Sequence, residues 1–84
     1  MALQIRDYLY AKGGIIYEIS DQDTAGDVNY YGYLNNEGYW IIQQFTQSTG
    51  SYRYCQGTNS YLTYWGNRGL LTYALYSLLN TPNP

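Results

Sequence analysis

Short runs of aromatic and β-branched residues alternate along the chain with clusters of turn residues. The central example is an aromatic run, Tyr30–Leu34, followed by the turn cluster Asn35–Gly38 and an apolar run, Tyr39–Phe45. Asn and Gly tolerate the positive φ angles that tight hairpin turns need. The stretch therefore predicts a β-hairpin with Trp40 as its largest core residue. Because a lone hairpin is marginally stable in water, we expect the remaining elements to cover it.

Two further runs extend the hairpin into a meander with predicted strands at 15–20, 29–34, 39–47 and 51–56. Successive side chains of a strand point to opposite faces of the sheet. The first strand then places Ile15, Tyr17 and Ile19 on one face and Ile16 and Glu18 on the other. In the fourth strand, Tyr52 and Tyr54 share one face, and Arg53 and Cys55 share the opposite face.

The last third of the chain is less regular. Residues 60–66 contain aromatic and apolar pairs three positions apart, which predicts one helical turn with Asn59 or Ser60 as its N-cap. Residues 70–79 are apolar at nearly every position, so periodicity leaves both a buried strand and a short helix open. Their β-branched and aromatic residues favour the strand.

These elements predict an all-β domain, a small antiparallel barrel or rolled sheet of about five strands with one helical turn near 60–66. Closing the sheet would remove edges that few charges protect. The predicted organisation is an N-terminal arm over 1–12, a single β domain over 13–79 and a flexible tail over 80–84. The predicted core consists of Ile15, Tyr17, Ile19, Trp40, Ile42, Leu62, Trp65, Leu71 and Tyr73.

Tyrosine is the feature of the composition that changes this picture. The 84 residues include 13 Tyr, yet only 12% are charged and the net charge is −2. A core of this size cannot bury all of these rings, so part of them should lie at a surface or a partner interface. The predicted interface residues are Tyr8, Tyr10, Tyr30, Tyr33, Tyr52, Tyr54 and Tyr76.

Catalytic chemistry finds little support in the sequence. There is no His, and Cys55 consequently has no base to activate it. The six carboxylates lie mostly in predicted turns, so we predict no enzyme activity, no cofactor and no metal. The loop Asp21–Asp27 matches a calcium-binding loop at its first, third and sixth positions, but Ala25 and Gly32 stand where oxygen ligands are expected. It is interpreted as a solvated hairpin loop.

Arg68 is predicted to be structural, either stacked on an aromatic ring or paired with a carboxylate such as Glu18.

Four basic residues scattered along an acidic chain predict no nucleic-acid binding. A signal peptide and a membrane-spanning run are both missing from the pattern, which predicts a protein made in the cytoplasm with no membrane partner. The alternative function is a small glycan-binding module that uses surface Tyr and Trp, with Tyr39 and Tyr61 as contacts.

Several short motifs follow one another along the chain: Tyr31-Gly32, Trp40-Ile41-Ile42, Tyr52-Arg53-Tyr54 and Trp65-Gly66-Asn67-Arg68, followed by Leu71-Thr72-Tyr73. In this order they resemble a group of uncharacterised proteins of tailed bacteriophages. The resemblance covers roughly residues 30–73. This chain has Gly66-Asn67 at the positions where the group has two Asp residues. The N-terminal arm is not part of the pattern.

The resemblance implies a virion component of the tail, neck, baseplate or capsid surface. Together with the composition, it leads us to expect a non-enzymatic structural subunit located in the virion. Its expected partners are copies of itself, in a homo-oligomer, and larger virion proteins, which it would bind through Tyr-rich faces.

Overall fold

A four-stranded antiparallel sheet forms the body of the protein in the computed structural model, which describes residues 11–12 and 15–76. A two-stranded ladder precedes it, formed by β1 (Ala11–Lys12) and β2 (Ile15–Ile16). The main sheet contains β3 (Glu18–Asp23), β4 (Val28–Leu34), β5 (Trp40–Thr46) and β6 (Ser51–Gly57). The helix α1 (Tyr61–Gly66) and a 3-10 turn (Arg68–Leu70) follow. The predicted all-β class is confirmed.

The strands are ordered β3-β4-β5-β6, so each pairs with its neighbour in the chain, as the predicted meander requires. In the described part of the chain the sheet is open, with β3 and β6 at its edges, and closure into a barrel stays a prediction. The helical turn near 60–66 is confirmed. Ser60 occupies the N-cap position, but its side chain makes no capping hydrogen bond.

The expected fifth strand is not formed over residues 70–76. There, Ala74 makes an isolated antiparallel bridge to Tyr54, with backbone N···O distances of 2.8 and 2.9 Å. The segment departs from β6 because Leu71 and Tyr73 pack onto the sheet beside α1. The Tyr73 hydroxyl also donates to the Arg68 carbonyl at 2.7 Å. Residues 77–79 of that predicted strand lie outside the described residues.

The β4–β5 turn forms as its sequence predicts. The Asn35 side-chain oxygen accepts hydrogen bonds from the backbone N–H groups of Glu37 and Tyr39, at 2.9 and 2.8 Å. Gly38 adopts a φ of 91°, which glycine reaches at little cost. These contacts hold β4 and β5 in a register that pairs Leu34 with Trp40.

Each face of the sheet has its own buried cluster. On the helix face, the face against which α1 packs, Trp40 and Ile42 lie beneath Tyr61. On the opposite face, Tyr33 and Ile41 pack with Tyr17. Strand alternation gives this second face Ile19, Gln22, Asn29, Tyr31, Tyr33, Ile41, Gln43, Phe45, Tyr52, Tyr54 and Gln56, and we call it the tyrosine face.

Most of the predicted core is confirmed. Tyr17, Trp40 and Ile42 are buried, and the partly buried residues packed against the two clusters include Ile19, Trp65, Leu71 and Tyr73. Burial also raises the pKa of the Tyr17 hydroxyl to about 12, with smaller contributions from Tyr39, Tyr76 and Glu37. The side chain of Ile15 lies outside what the structure describes.

Leu62 was wrongly predicted to be in the core, since its side chain is 76% exposed. The helix turns Tyr61 and Trp65 toward the sheet, and residues four apart lie on one face of a helix. Leu62 therefore points to solvent.

An irregularity in β3 decides where its acidic residues point. The register with β4 shifts between Ile19 and Asp21, so that Ile19 opposes Tyr33 while Asp21 opposes Gly32. A bulge of this kind reverses the alternation downstream of it. Asp21 and Asp23 consequently lie on the helix face, where regular alternation after Ile19 would have placed them on the tyrosine face.

Residues 1–10 of the predicted arm and the whole predicted tail, 80–84, lie outside the described residues. The last two arm residues, Ala11 and Lys12, pair with Ile16 and Ile15 in the small ladder. Among the residues that the structure describes, no helix has the length and apolar character needed to cross a membrane.

Candidate functional site

Arg68 joins β3 to the C-terminal segment on the helix face. Its Nη2 and Nε atoms donate to Asp23 Oδ2 at 2.8 and 3.2 Å, and its Nη1 donates to the Trp65 carbonyl at 2.8 Å. The guanidinium carbon also lies 4.5 Å from the centroid of the Trp65 ring. The structural role predicted for Arg68 is confirmed, but the paired carboxylate is Asp23 and not Glu18.

Asp23→Asn should reduce the pH dependence of stability. The hydrogen bond from Arg68 lowers the pKa of Asp23 below its ordinary value of 3.8. A lowered folded-state pKa stabilises the fold at pH values above the unfolded pKa, and this contribution disappears as the pH falls through the folded pKa. We expect the wild type to exceed Asp23→Asn in melting temperature at pH 6, with the gap shrinking at pH values below about 4.

Thermal melts of both proteins from pH 2 to pH 7 measure this difference, and Asp27→Asn serves as the control. Asp27 caps the β5–β6 turn by accepting from Ser48 N and Oγ, at 2.9 and 2.7 Å, without a cationic partner among the described residues. A pH-independent gap between wild type and Asp23→Asn would contradict the prediction.

The interpretation of 21–27 as a solvated hairpin loop is wrong for its first residues, because Asp21 and Asp23 belong to β3 and are half-buried. Asp21 Oδ2 accepts a hydrogen bond from the Tyr61 hydroxyl at 2.9 Å, and Asp23 pairs with Arg68. Within residues 15–76, side chains of His, Cys, Asp and Glu nowhere gather in a group of three suited to a metal ion. Asp21 and Asp23 thus attach α1 and the C-terminal segment to the sheet.

Cys55 sits half-buried on the helix face beside Trp40 and Ile42. Burial raises the pKa of its thiol, so the thiolate needed for nucleophilic chemistry is disfavoured. A groove of about 730 Å³ lies at the end of the sheet, between the start of β3 and the β4–β5 turn. The described part of its lining includes Glu18 and Glu37 together with aliphatic and small polar side chains.

The tyrosine face differs from the helix face in charge. The charged residues of β3 to β6 are Glu18, Asp21, Asp23 and Arg53, and the register places all four on the helix face. Over these strands the tyrosine face is therefore composed of aromatic, aliphatic and carboxamide side chains alone. Only Gln22 and Tyr52 of the tyrosine face are exposed, and its other residues are half-buried or buried within the chain.

Carboxamides on the tyrosine face are held by neighbouring side chains. Gln43 is buried and donates from Nε2 to the Tyr54 hydroxyl at 3.2 Å. Asn29 is also buried, and its side-chain oxygen accepts from Gln47 Nε2 at 3.3 Å. Since buried polar groups are costly unless hydrogen-bonded, these contacts allow amides to lie between the rings.

Aromatic pairs border the same face along β6. Phe45 and Tyr52 are direct partners in the β5–β6 register, and their ring centroids are 4.5 Å apart. Tyr54 meets the edge of Tyr76 at 5.1 Å. Tyr52 and Tyr76 remain 48% and 39% exposed. The rim of the tyrosine face thus presents large rings to solvent that neighbouring rings hold in place.

Tyr52, Tyr54 and Tyr76 of the predicted interface set therefore come together at one edge of the sheet. Tyr33 was wrongly predicted to be an interface residue, because it is fully buried between β3 and β5 and presents no surface to a partner. Tyr30 is half-buried on the helix face, with its ring 6.0 Å from that of Tyr73, so it belongs to the inner packing. Tyr8 and Tyr10 lie outside the described residues.

The predicted glycan platform of Tyr39 and Tyr61 is not formed. Tyr61 is buried on the helix face, whereas Tyr39 packs with the cluster on the tyrosine face. The two rings are on opposite sides of the sheet and cannot contact one sugar together.

A second exposed apolar surface lies on the outer side of α1 and the 3-10 turn. Leu70 and Leu62 are 84% and 76% exposed. Tyr64 is also partly exposed, but its ring centroid lies 5.0 Å from that of the buried Trp40, so it packs toward the sheet. The sequence analysis did not identify Leu70 as a surface residue, since no local pattern fixes the rotation of the 3-10 turn.

Comparison with family models, with curated proteins and with solved structures found no match to this chain. The functional argument therefore depends on the two exposed surfaces and on the charge distribution of the sheet.

Proposed function

We propose that this protein is a non-enzymatic structural subunit of a bacteriophage virion, in the tail, neck, baseplate or capsid surface. It acts through Tyr-rich protein–protein interfaces with copies of itself and with larger virion proteins. The observation that carries the proposal is the exposure of seven large apolar side chains on a very small domain. They are Ile16, Tyr52, Leu62, Tyr64, Leu70, Leu75 and Tyr76.

Exposed apolar side chains that lie in groups favour a binding role over solvent exposure. Large apolar patches on a small domain usually mark contact sites, and Tyr is enriched in the residues that dominate binding energy. The scarcity of charge in this sequence supports the same conclusion, because surface charge is what normally keeps small domains apart. The viral context comes from the sequence resemblance, and the assembly role comes from these surfaces.

The test is the composition of purified particles. We expect mass spectrometry of density-purified virions from the phage that encodes this chain to detect it at a fixed ratio to the major capsid protein. The ratio should survive a high-salt wash, because the proposed contacts are largely uncharged. Immunogold electron microscopy with antibodies to the purified chain then gives its position.

The matched control is the lysate of the same infected cells. A chain that is abundant in the lysate but missing from washed particles would overturn the virion proposal, whatever its behaviour in solution.

A further inference from the structure

We propose that the groove at the end of the sheet binds a Lys or Arg side chain, with its flanking backbone, from an extended segment of a protein partner. This groove lies between the start of β3 and the β4–β5 turn, and we call it the acidic groove. The inference rests on the proposed assembly function for the source of the segment, a larger virion protein. The lining residues that carry the argument are Ile16, Glu18, Ile19, Leu34, Asn35 and Glu37.

The first argument is the charge of the acidic groove. Glu18 begins β3 and pairs with Leu34, and Glu37 lies in the turn that follows Leu34, so both carboxylates border one groove. Both residues are exposed, and neither takes part in an ion pair within the described part of the chain. A cation that enters the groove is attracted by both carboxylates, which no positive charge of the described residues compensates.

The second argument is the apolar surface beside these carboxylates. Ile16 is 62% exposed, and the half-buried Ile19 and Leu34 belong to the same lining. Lys and Arg have aliphatic stems that cover apolar surface while the charged head reaches a carboxylate. A bare metal ion matches this lining poorly, because hard cations require several oxygen ligands. Residues 15–76 also hold no group of three His, Cys, Asp or Glu side chains suited to a metal.

The third argument is an unpartnered donor in the wall of the groove. Asn35 is 8% exposed, and its Oδ1 accepts from the backbone N–H groups of Glu37 and Tyr39. Its Nδ2 is buried and has no hydrogen-bond partner among the described residues. A buried donor is costly without an acceptor, and a backbone carbonyl of a bound segment supplies one. A peptide therefore offers both a carbonyl for Asn35 and a cation for the two glutamates, whereas a free amine offers only the cation.

A second cavity extends the acidic groove toward α1. It has a volume of about 530 Å³ and shares Ser20, Leu34 and Glu37 with the first cavity of about 730 Å³. Its lining also includes Leu62, which is 76% exposed. The two cavities together accommodate several residues of an extended segment. We expect an apolar residue beside the basic one, because it would cover Leu62.

A second copy of this chain is a poorer source of the segment. Arg68 is bound to Asp23, and the half-buried Arg53 donates to the Tyr52 carbonyl at 2.8 Å. Of the four basic residues, Arg6 and Lys12 then remain. A variant with Arg6→Gln and Lys12→Gln tests whether the chain's own basic residues occupy the groove.

The experiment follows the amide groups of the isotope-labelled full-length chain by NMR during titration with the peptide acetyl-Gly-Lys-Leu-Thr-Gly-amide. We expect saturable binding with a Kd on the order of 1 mM. The largest shifts should occur in the side-chain amide signals of Asn35 and in the backbone amides of Ser20 and Glu37. A peptide with norleucine in place of Lys keeps the aliphatic stem without the charge and should cause no such shifts. The small amine n-butylamine has no carbonyl and should leave the Asn35 side-chain signals unchanged.

Two variants of the groove test the carboxylates. Glu37→Gln should weaken peptide binding about threefold, and Glu18→Gln combined with Glu37→Gln about tenfold, because exposed ion pairs each contribute modestly. Asp27→Asn removes one charge beyond the opposite end of β3 and is the matched control, with an unchanged Kd. Circular dichroism of each variant confirms that the fold is retained, as the exposure of both glutamates leads us to expect.

Equal affinity for the Lys and norleucine peptides, or for the wild type and the double glutamate variant, would overturn this inference. Binding that occurs only after Arg6→Gln and Lys12→Gln would also overturn it, because the groove would then belong to the chain's own basic residues. An Asn35 side-chain response to n-butylamine equal to that of the peptide would assign the groove to small amines instead. The titration uses the purified chain alone, whereas the virion proposal is tested on particles, so failure of one is distinguished from failure of the other.

Discussion

Replacing Gly57 with Ala is expected to lower the free energy of unfolding by about 3 kcal/mol, the sum of core overpacking and a weakened hydrogen bond. Gly57 lies opposite Trp40 in the β5–β6 register. A Cβ at this position would come within 2.5 Å of Cε2 and 2.8 Å of Nε1 of the Trp40 indole. Trp40 is buried, and its Nε1 donates to the Asn59 carbonyl at 2.7 Å, so the ring has little freedom to move away.

Denaturant unfolding followed by tryptophan fluorescence measures this loss. Gly26→Ala is the matched control, because a Cβ there meets nothing within 4 Å, and its effect should stay within about 0.5 kcal/mol. Combining Gly57→Ala with Trp40→Phe should recover part of the loss, since the smaller ring removes the clash. Equal effects of Gly57→Ala and Gly26→Ala would show that the indole is not held against Gly57.

The second large effect is expected from Gly32→Ala, at about 2 kcal/mol, the middle of the range for overpacking. Gly32 is the point of β4 over which α1 packs. A Cβ there would lie 2.9 Å from Cζ of Tyr61 and 3.0 Å from Cε3 of Trp65, and it would collide with the Tyr61 hydroxyl. Tyr61 is held by its hydrogen bond to Asp21, so the helix must shift as a unit or lose that bond.

A double-mutant cycle with Tyr61→Leu tests the cause. If the clash with Tyr61 is responsible, Gly32→Ala should destabilise the Tyr61→Leu background less than the wild type, with a coupling free energy of about 1 kcal/mol or more. Gly66→Ala controls for added volume at glycine, since Gly66 faces open space. Additive effects in the cycle would mean that strand geometry, not the docking of α1, makes Gly32 necessary.

The strands and the central turn could be predicted from the sequence because local chemistry specifies them. Asn35 and Gly38 form the turn through their own side-chain hydrogen bonds and backbone freedom, without help from distant residues. Once that turn is set, the pairing of β4 with β5 follows, and Trp40 must enter the core. The predicted strands at 29–34, 39–47 and 51–56, their meander order and the burial of Trp40 therefore agree with the structure. The first predicted strand, 15–20, is instead divided into β2 and β3, and β3 extends to Asp23.

The exposure of tyrosine rings was predictable only from the composition, without the identity of the exposed residues. The excess of Tyr indicated that several rings must be exposed. Strand alternation places Tyr31 and Tyr33 on the same face of β4, but only Tyr33 is fully buried. Burial of Tyr33 depends on Tyr17, which lies between β2 and β3, and on Ile41 of β5. Which tyrosines remain for a partner is consequently a question of packing between strands.

By itself, the sequence determined the all-β class, the four-strand meander, the turn chemistry and the excess of aromatic surface, since these follow from residues close together in the chain. The tertiary structure alone decided that β3 bulges between Ile19 and Asp21, that Tyr61 packs over Gly32, and that Arg68 pairs with Asp23. Each of these depends on contacts between residues far apart in sequence, where no local pattern fixes the direction of a side chain. Their joint result is a sheet whose strand charges all lie on one face, leaving the other to aromatic rings and carboxamides.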